Sequence, residues 1–168
     1  MADESRVLEI VRRYFEHVGA DIDHAQEIYH DDAVLEFPQS GERFEGVATF
    51  TEWRRQYPAD PDKMRYRLRR VTVRVDLAVV ELTVSYDGES WMQGLQLLEF
   101  RGDRVARERI YVMETWEAPE WRAPWRAATP ADQPGGDRCC LNRLQQAADL
   151  PGVEIGDARS VGTSGVEA

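Results

Sequence analysis

Few side chains in this sequence are spaced to do chemistry, and the carboxylate that stands out is Glu108. It lies two residues before Ile110 in an alternating run, so strand geometry puts both on one face. If that face lines a pocket, a desolvated carboxylate there is a candidate general base. A plainer role has the greater weight: an ion pair with Arg107, Arg109 or an arginine of the adjoining strand. His17, His24 and His30 fall in or beside the first two helices without HExxH or other metal spacing, which reads as a surface or helix-end role. His30-Asp31-Asp32 resembles a base–carboxylate cluster, but its expected place at a helix end reads better as a turn. No Ser or Cys sits in a nucleophile motif, and no glycine-rich phosphate loop occurs. Cys139 and Cys140 are adjacent, a spacing that strains a mutual disulfide and matches no zinc site. They read as free thiols in a reduced compartment. Neither a cofactor nor a metal is implied.

Charge narrows the partners. A formal net charge of -10 opposes the phosphate neutralisation with which nucleic-acid binding begins, and it opposes an anionic membrane surface equally. Arg65, Arg67, Arg69, Arg70 and Arg74 crowd one segment against this trend. They read either as a solvated strand facing acids such as Glu81 and Asp87, or as an anion-binding patch. At 168 residues and 42% hydrophobic content, the chain suits one domain with a real core. No apolar run approaches the roughly 18–20 residues of a membrane helix. The start, MADESRVLEIVRR, lacks the pattern of a signal peptide, so a cytoplasmic location is expected.

The elements that must position these residues follow from periodicity. Ser5 is the expected N-cap of a first helix with Val7, Ile10, Val11, Tyr14, Phe15 and Val18 on one face, ended by Gly19. Asp23, with Gln26 three residues on, is expected to cap a short second helix that Asp31-Asp32 end. Ala33 to Phe37 alternate as a strand that Pro38 stops; Gly41 turns the chain and Phe44 returns. Gly46 precedes a third helix over 47–57, with Val47, Phe50, Trp53 and Tyr57 at helical spacing and Pro58 and Pro61 beyond. Four strands then fit 66–75, 78–86, 90–101 and 104–114, joined by turns short enough to force antiparallel pairing. The segment WEAPEWRAPWRA reads as a strap over one end of the sheet, anchored by Trp116, Trp121 and Trp125. Residues 1–128 are expected to form the domain. Residues 129–168, poor in large apolar side chains, read as a disordered tail with one weak helix over 139–150.

The order of these elements, with YFEHVGADIDHAQEIYHDDAVLEFP followed by FEGVATFTEW, resembles the NTF2-like superfamily and its SnoaL-like branch of ketosteroid isomerases, polyketide cyclases and limonene-epoxide hydrolases. The resemblance spans about residues 5–126. It implies an α+β fold: a cone-like barrel of three N-terminal helices packed on a strongly curved, mostly antiparallel sheet, enclosing a pocket and commonly homodimeric. It also places Tyr14 where the isomerases keep the tyrosine that donates to a developing enolate, a known oxyanion-hole arrangement. Gln96 stands where their second donor sits. The isomerase base position holds Phe37, and the aspartate position of cyclases and epoxide hydrolases holds Ile110. Leu35 and Phe37 replace the polar pair that holds water in the hydrolases. Leu35, Phe37, Ile110 and Trp53 are thus expected to line an apolar pocket, although Trp53 and Trp91 also suit core or interface. The expected function is binding of a small apolar or aromatic molecule with weak or no catalysis. The alternatives are an isomerase, cyclase or hydrolase using Glu108, Tyr14 and Gln96, or a homodimeric interaction module.

Overall fold

The computed structural model describes residues 3–19, 21–58, 60 and 62–128. Its first helix, α1 (Glu4–His17), is capped by Asp3 rather than Ser5: the Asp3 side chain accepts the Arg6 amide at 2.8 Å. A carboxylate at this position also meets the positive end of the helix dipole, which a hydroxyl cannot match. α1 buries Val7, Ile10, Val11, Tyr14 and Phe15, and ends at a Val18 C-cap without Gly19 turning left-handed. The second helix, α2 (Ile22–Gln26), is capped two residues earlier than expected, by Asp21, which accepts the His24 amide at 3.1 Å. Asp23 is thereby free to pair with Arg55.

Strand β1 (Tyr29–Phe37) begins well before Ala33 and takes in His30-Asp31-Asp32. These residues are therefore extended backbone and not a helix end. His30 Nε2 donates to the Arg101 carbonyl at 2.7 Å and Asp32 pairs with Arg101, so the cluster ties β1 to the strand ends beside it. Gly41, at φ 75°, reverses the chain into β2 (Glu42–Glu45), and Gly46, at φ 86°, leads into α3 (Val47–Arg55). The sheet continues through β3 (Arg65–Arg74), β4 (Leu77–Ser85), β5 (Met92–Arg101) and β6 (Arg104–Met113), each within two residues of the sequence reading. Its strand order is β2-β1-β6-β5-β4-β3; only β1 and β6 run parallel. The architecture is α+β, three helices against a mostly antiparallel sheet.

A β-bulge decides what β6 presents inward. Val105 sits opposite Phe100 and Arg107 opposite Glu99, leaving Ala106 as the extra residue. The bulge flips the alternation, so Val105 and Glu108 are both fully buried although three residues apart. The arginine-rich strand β3 is solvated on its outer side: Arg70 lies opposite Glu81, Arg74 reaches Glu4 at 3.7 Å, and Arg67 lies 5.5 Å over the Trp91 ring. Asp87 instead holds its own loop, accepting the Glu89 and Ser90 amides at 2.8 and 2.7 Å.

The strap does not anchor by its indoles. Trp116, Trp121 and Trp125 are 78%, 68% and 78% exposed around a short 3-10 turn, Glu120–Trp125. The segment is held by Arg126, which donates to the carbonyls of Ala118 and Pro119 at 3.2 and 2.9 Å. The expected tail, its weak helix and Cys139–Cys140 lie outside the described residues. No described helix is long and apolar enough to cross a membrane.

Candidate functional site

The helices leave a cavity of about 450 Å³ above the concave face of the sheet. One wall is an aromatic series running Phe37, Trp53, Tyr57, Tyr86, with successive ring centroids 5.6, 5.7 and 5.4 Å apart. Ile110, Val112, Leu82 and Val84 supply the apolar sheet floor, while Tyr14, Gln96 and Arg54 bring polar atoms to it. Gly94 lines it as well: a Cβ there would sit 2.9 Å from Leu82 Cγ, so only glycine lets Leu82 lie where it does. The described lining contains no carboxylate, imidazole, thiol or ammonium.

Three of its phenols are held protonated. Burial pushes the Tyr14 phenol up to about 12, offset in part by Arg54 and reinforced by the Glu108 charge. Burial raises Tyr66 and Tyr86 still further. All three are protonated hydrogen-bond donors at neutral pH. Gln96 is buried between Val80 and Ile110 in the sheet register, and its Oε1 has no partner.

Glu108 sits behind this lining. It is 0% exposed and faces the helices, where Tyr29 donates its hydroxyl to Oε2 at 2.6 Å and Arg54 Nη2 donates to the same oxygen at 3.0 Å. Its Oε1 is buried without a partner. Arg54 Nη1 donates to Gln26 Oε1 at 3.1 Å, and the guanidinium lies 5.7 and 5.4 Å over the Tyr29 and Phe50 rings. Burial alone would lower the Arg54 pKa, but Tyr14, Tyr29 and Glu108 around it outweigh that and hold it well above the ordinary value. It is a permanent cation.

The ion pair of Glu108 thus comes from α3 and not from its own strand. Arg107 turns outward to Glu36, with Nε–Oε2 2.9 Å, and Arg109 turns outward to Glu99. Tyr14, Gln96, Phe37, Trp53 and Ile110 meet at the cavity. Leu35 does not: it lies opposite Glu108 in the β1–β6 register and is 0% exposed, a core residue beneath the wall. Arg54, Tyr29 and Gln26 are the site-forming residues that sequence reasoning missed. Arg54 follows Phe50 by four positions and so shares its buried helix face, which was the available signal. Among the described residues, no group of three His, Cys, Asp or Glu side chains is placed to hold a metal ion.

Residues 11–108 match the family model of the SnoaL-like domain. An NTF2-like protein of unknown function from Burkholderia xenovorans LB400 is 29% identical, with a TM-score of 0.67 over 76% of this chain and 98% of that one. A candidate ketosteroid isomerase from Kribbella flavida DSM 17836 is 24% identical, with a TM-score of 0.69 over 79% and 96%. The epoxide hydrolase/cyclase-like enzyme SalBIII, of pyran ring formation in salinomycin, is 18% identical, with a TM-score of 0.57 over 67% and 94%. The last two likenesses carry the fold alone. No curated protein matches the chain.

Proposed function

Since this chain belongs to the SnoaL-like domain family, within the NTF2-like fold, we propose that it binds a small apolar or aromatic molecule in its cavity, with weak or no catalysis. The observation that carries this reading is the lining: aromatic and aliphatic walls, protonated phenols and an amide, and no group able to take a proton. Affinity then comes from apolar burial; a bicyclic aromatic hiding roughly 200 Å² gains about 5 kcal/mol at about 25 cal/mol per Å². Tyr14 and Gln96 orient it by hydrogen bonds. Calorimetric titration with 2-acetylnaphthalene tests this. Saturable one-site binding is expected, and Ile110→Trp, which pushes an indole into the cavity, should weaken it roughly tenfold or more while leaving the circular dichroism spectrum of the fold intact. No saturable binding by the wild-type protein would reject the reading.

An isomerase, cyclase or hydrolase reading is favoured by one observation, the unpartnered buried Oε1 of Glu108. It requires Arg54 to move aside, and any turnover found should vanish in Glu108→Gln. A self-association reading draws on the exposed Trp116, Trp121 and Trp125. Light scattering with and without residues 115–128 decides it: a dimer that the deletion dissociates supports the reading, and a monomer in both cases rejects it.

A further inference from the structure

The electrostatics behind the cavity wall narrow the ligand class. Two charged side chains line the cavity, Arg54 and Arg55. Arg55 is half exposed and pairs with Asp23, and its other nitrogen lies 3.6 Å from Glu52. Arg54 is only 8% exposed, and its charge is met by a Glu108 carboxylate that is wholly buried 3.0 Å away. We infer that Glu108 is a specificity-determining residue: by neutralising Arg54 from behind, it fits the cavity to neutral ligands with an oxygen acceptor, such as aryl ketones, and against carboxylates.

A carboxylate entering an apolar cavity loses hydration that costs several kcal/mol unless a free cation or a full set of donors replaces it. Here the cation is already paired. Two of its N–H groups are engaged by Gln26 Oε1 and Glu108 Oε2, and the unpartnered Glu108 Oε1 adds repulsion against a second anion. A ketone oxygen meets no such barrier, because the Tyr14 hydroxyl and the Gln96 amide need only donate to a neutral acceptor. A cationic ligand fares no better, since the Arg54 guanidinium itself faces the cavity.

The inference rests on the binding reading above, and the test separates the two. Three probes of matched shape, 2-acetylnaphthalene, 2-naphthoate and 2-(aminomethyl)naphthalene, are titrated into the wild-type protein at pH 7. The neutral ketone is expected to bind roughly tenfold or more tightly than either ion. In Glu108→Gln, which keeps an oxygen for Tyr29 and Arg54 but removes the charge, the gap between ketone and carboxylate should close. 2-Naphthoate should then gain roughly tenfold or more, while the ketone changes little. Wild-type binding of 2-naphthoate equal to or tighter than that of the ketone would overturn the inference and leave the pocket reading standing. So would an unchanged ratio of ketone to carboxylate affinity in Glu108→Gln. Should that variant not fold, the three-probe ranking of the wild type decides alone. Absence of binding by all three probes overturns the pocket reading itself, and the inference with it.

Discussion

Arg54→Met is the perturbation whose consequence the structure fixes most tightly. The arginine is 8% exposed and Glu108 is 0% exposed, so both charges are largely withdrawn from water. Methionine keeps an unbranched apolar side chain but removes the cation that lies over the Phe50 and Tyr29 rings. Glu108 is then left with the Tyr29 hydroxyl as its one hydrogen bond, and Gln26, whose Nε2 is already unpartnered, loses the donor to its Oε1 as well. Removing one partner of a buried pair costs about 3–5 kcal/mol, because an uncompensated charge remains inside. With a urea m-value of about 2 kcal/mol per M, the midpoint should fall by about 1.5–2.5 M. The double variant Arg54→Met, Glu108→Met removes both charges and should recover most of that loss, since well-packed apolar replacements of buried pairs are often neutral or stabilising. Urea unfolding followed by circular dichroism, with the m-value checked for constancy, reads the whole cycle. A single variant within about 1 kcal/mol of wild type, or a double variant as unstable as the single, would refute the buried-pair account.

Alkaline stability should depend on Tyr14. Its folded pKa of about 12 exceeds the ordinary 10.0, so its contribution is complete below pH 10 and is lost as pH rises through 12. That difference amounts to about 3 kcal/mol, so Tyr14→Phe should make the fall in stability between pH 10 and 12, read from urea midpoints, shallower by about that amount, with Tyr29, Tyr66 and Tyr86 carrying the rest. Gly94→Ala should destabilise by about 1–3 kcal/mol through the clash with Leu82, and Leu82→Ala in the same chain should relieve the clash; thermal melts check both. Gly46→Ala should cost about 1 kcal/mol, read the same way, because its φ of 86° is one that alanine resists. Replacing Trp116, Trp121 and Trp125 by Ser should leave the melting temperature unchanged, since the indoles are largely exposed.

The fold was legible because its signals are local and repeated. The apolar stripe Val7 to Phe15, the Gly41 and Gly46 turns and the alternation from Tyr66 to Met113 each name an element without long-range information. The caps moved because several acids compete at each helix start, and Asp3 and Asp21 reach the free amides where Ser5 and Asp23 do not. The His30-Asp31-Asp32 run gave no strand signal because its side chains are polar and it lies at an irregularity between the Tyr29 and Val34 pairings with β6, where His30 and Asp32 hold it to Arg101. In the cavity, the inward face of β6 was readable from Glu108 and Ile110, but the bulge at Ala106 that aims them was not. Arg54 was missed for a physical reason. It reads as a solvated helix end, and only the packing of α3 over β1 brings it against a carboxylate 54 positions away.

The most direct test of the account is to map where a neutral aromatic ketone binds. Amide shifts in a ¹⁵N-labelled sample titrated with 2-acetylnaphthalene should saturate at Gly94, Gln96, Ile110 and Val112, with no product formed over the course of the titration. Shifts confined to the exposed tryptophan segment, or none at all, would contradict the claim that this cavity is the site of action.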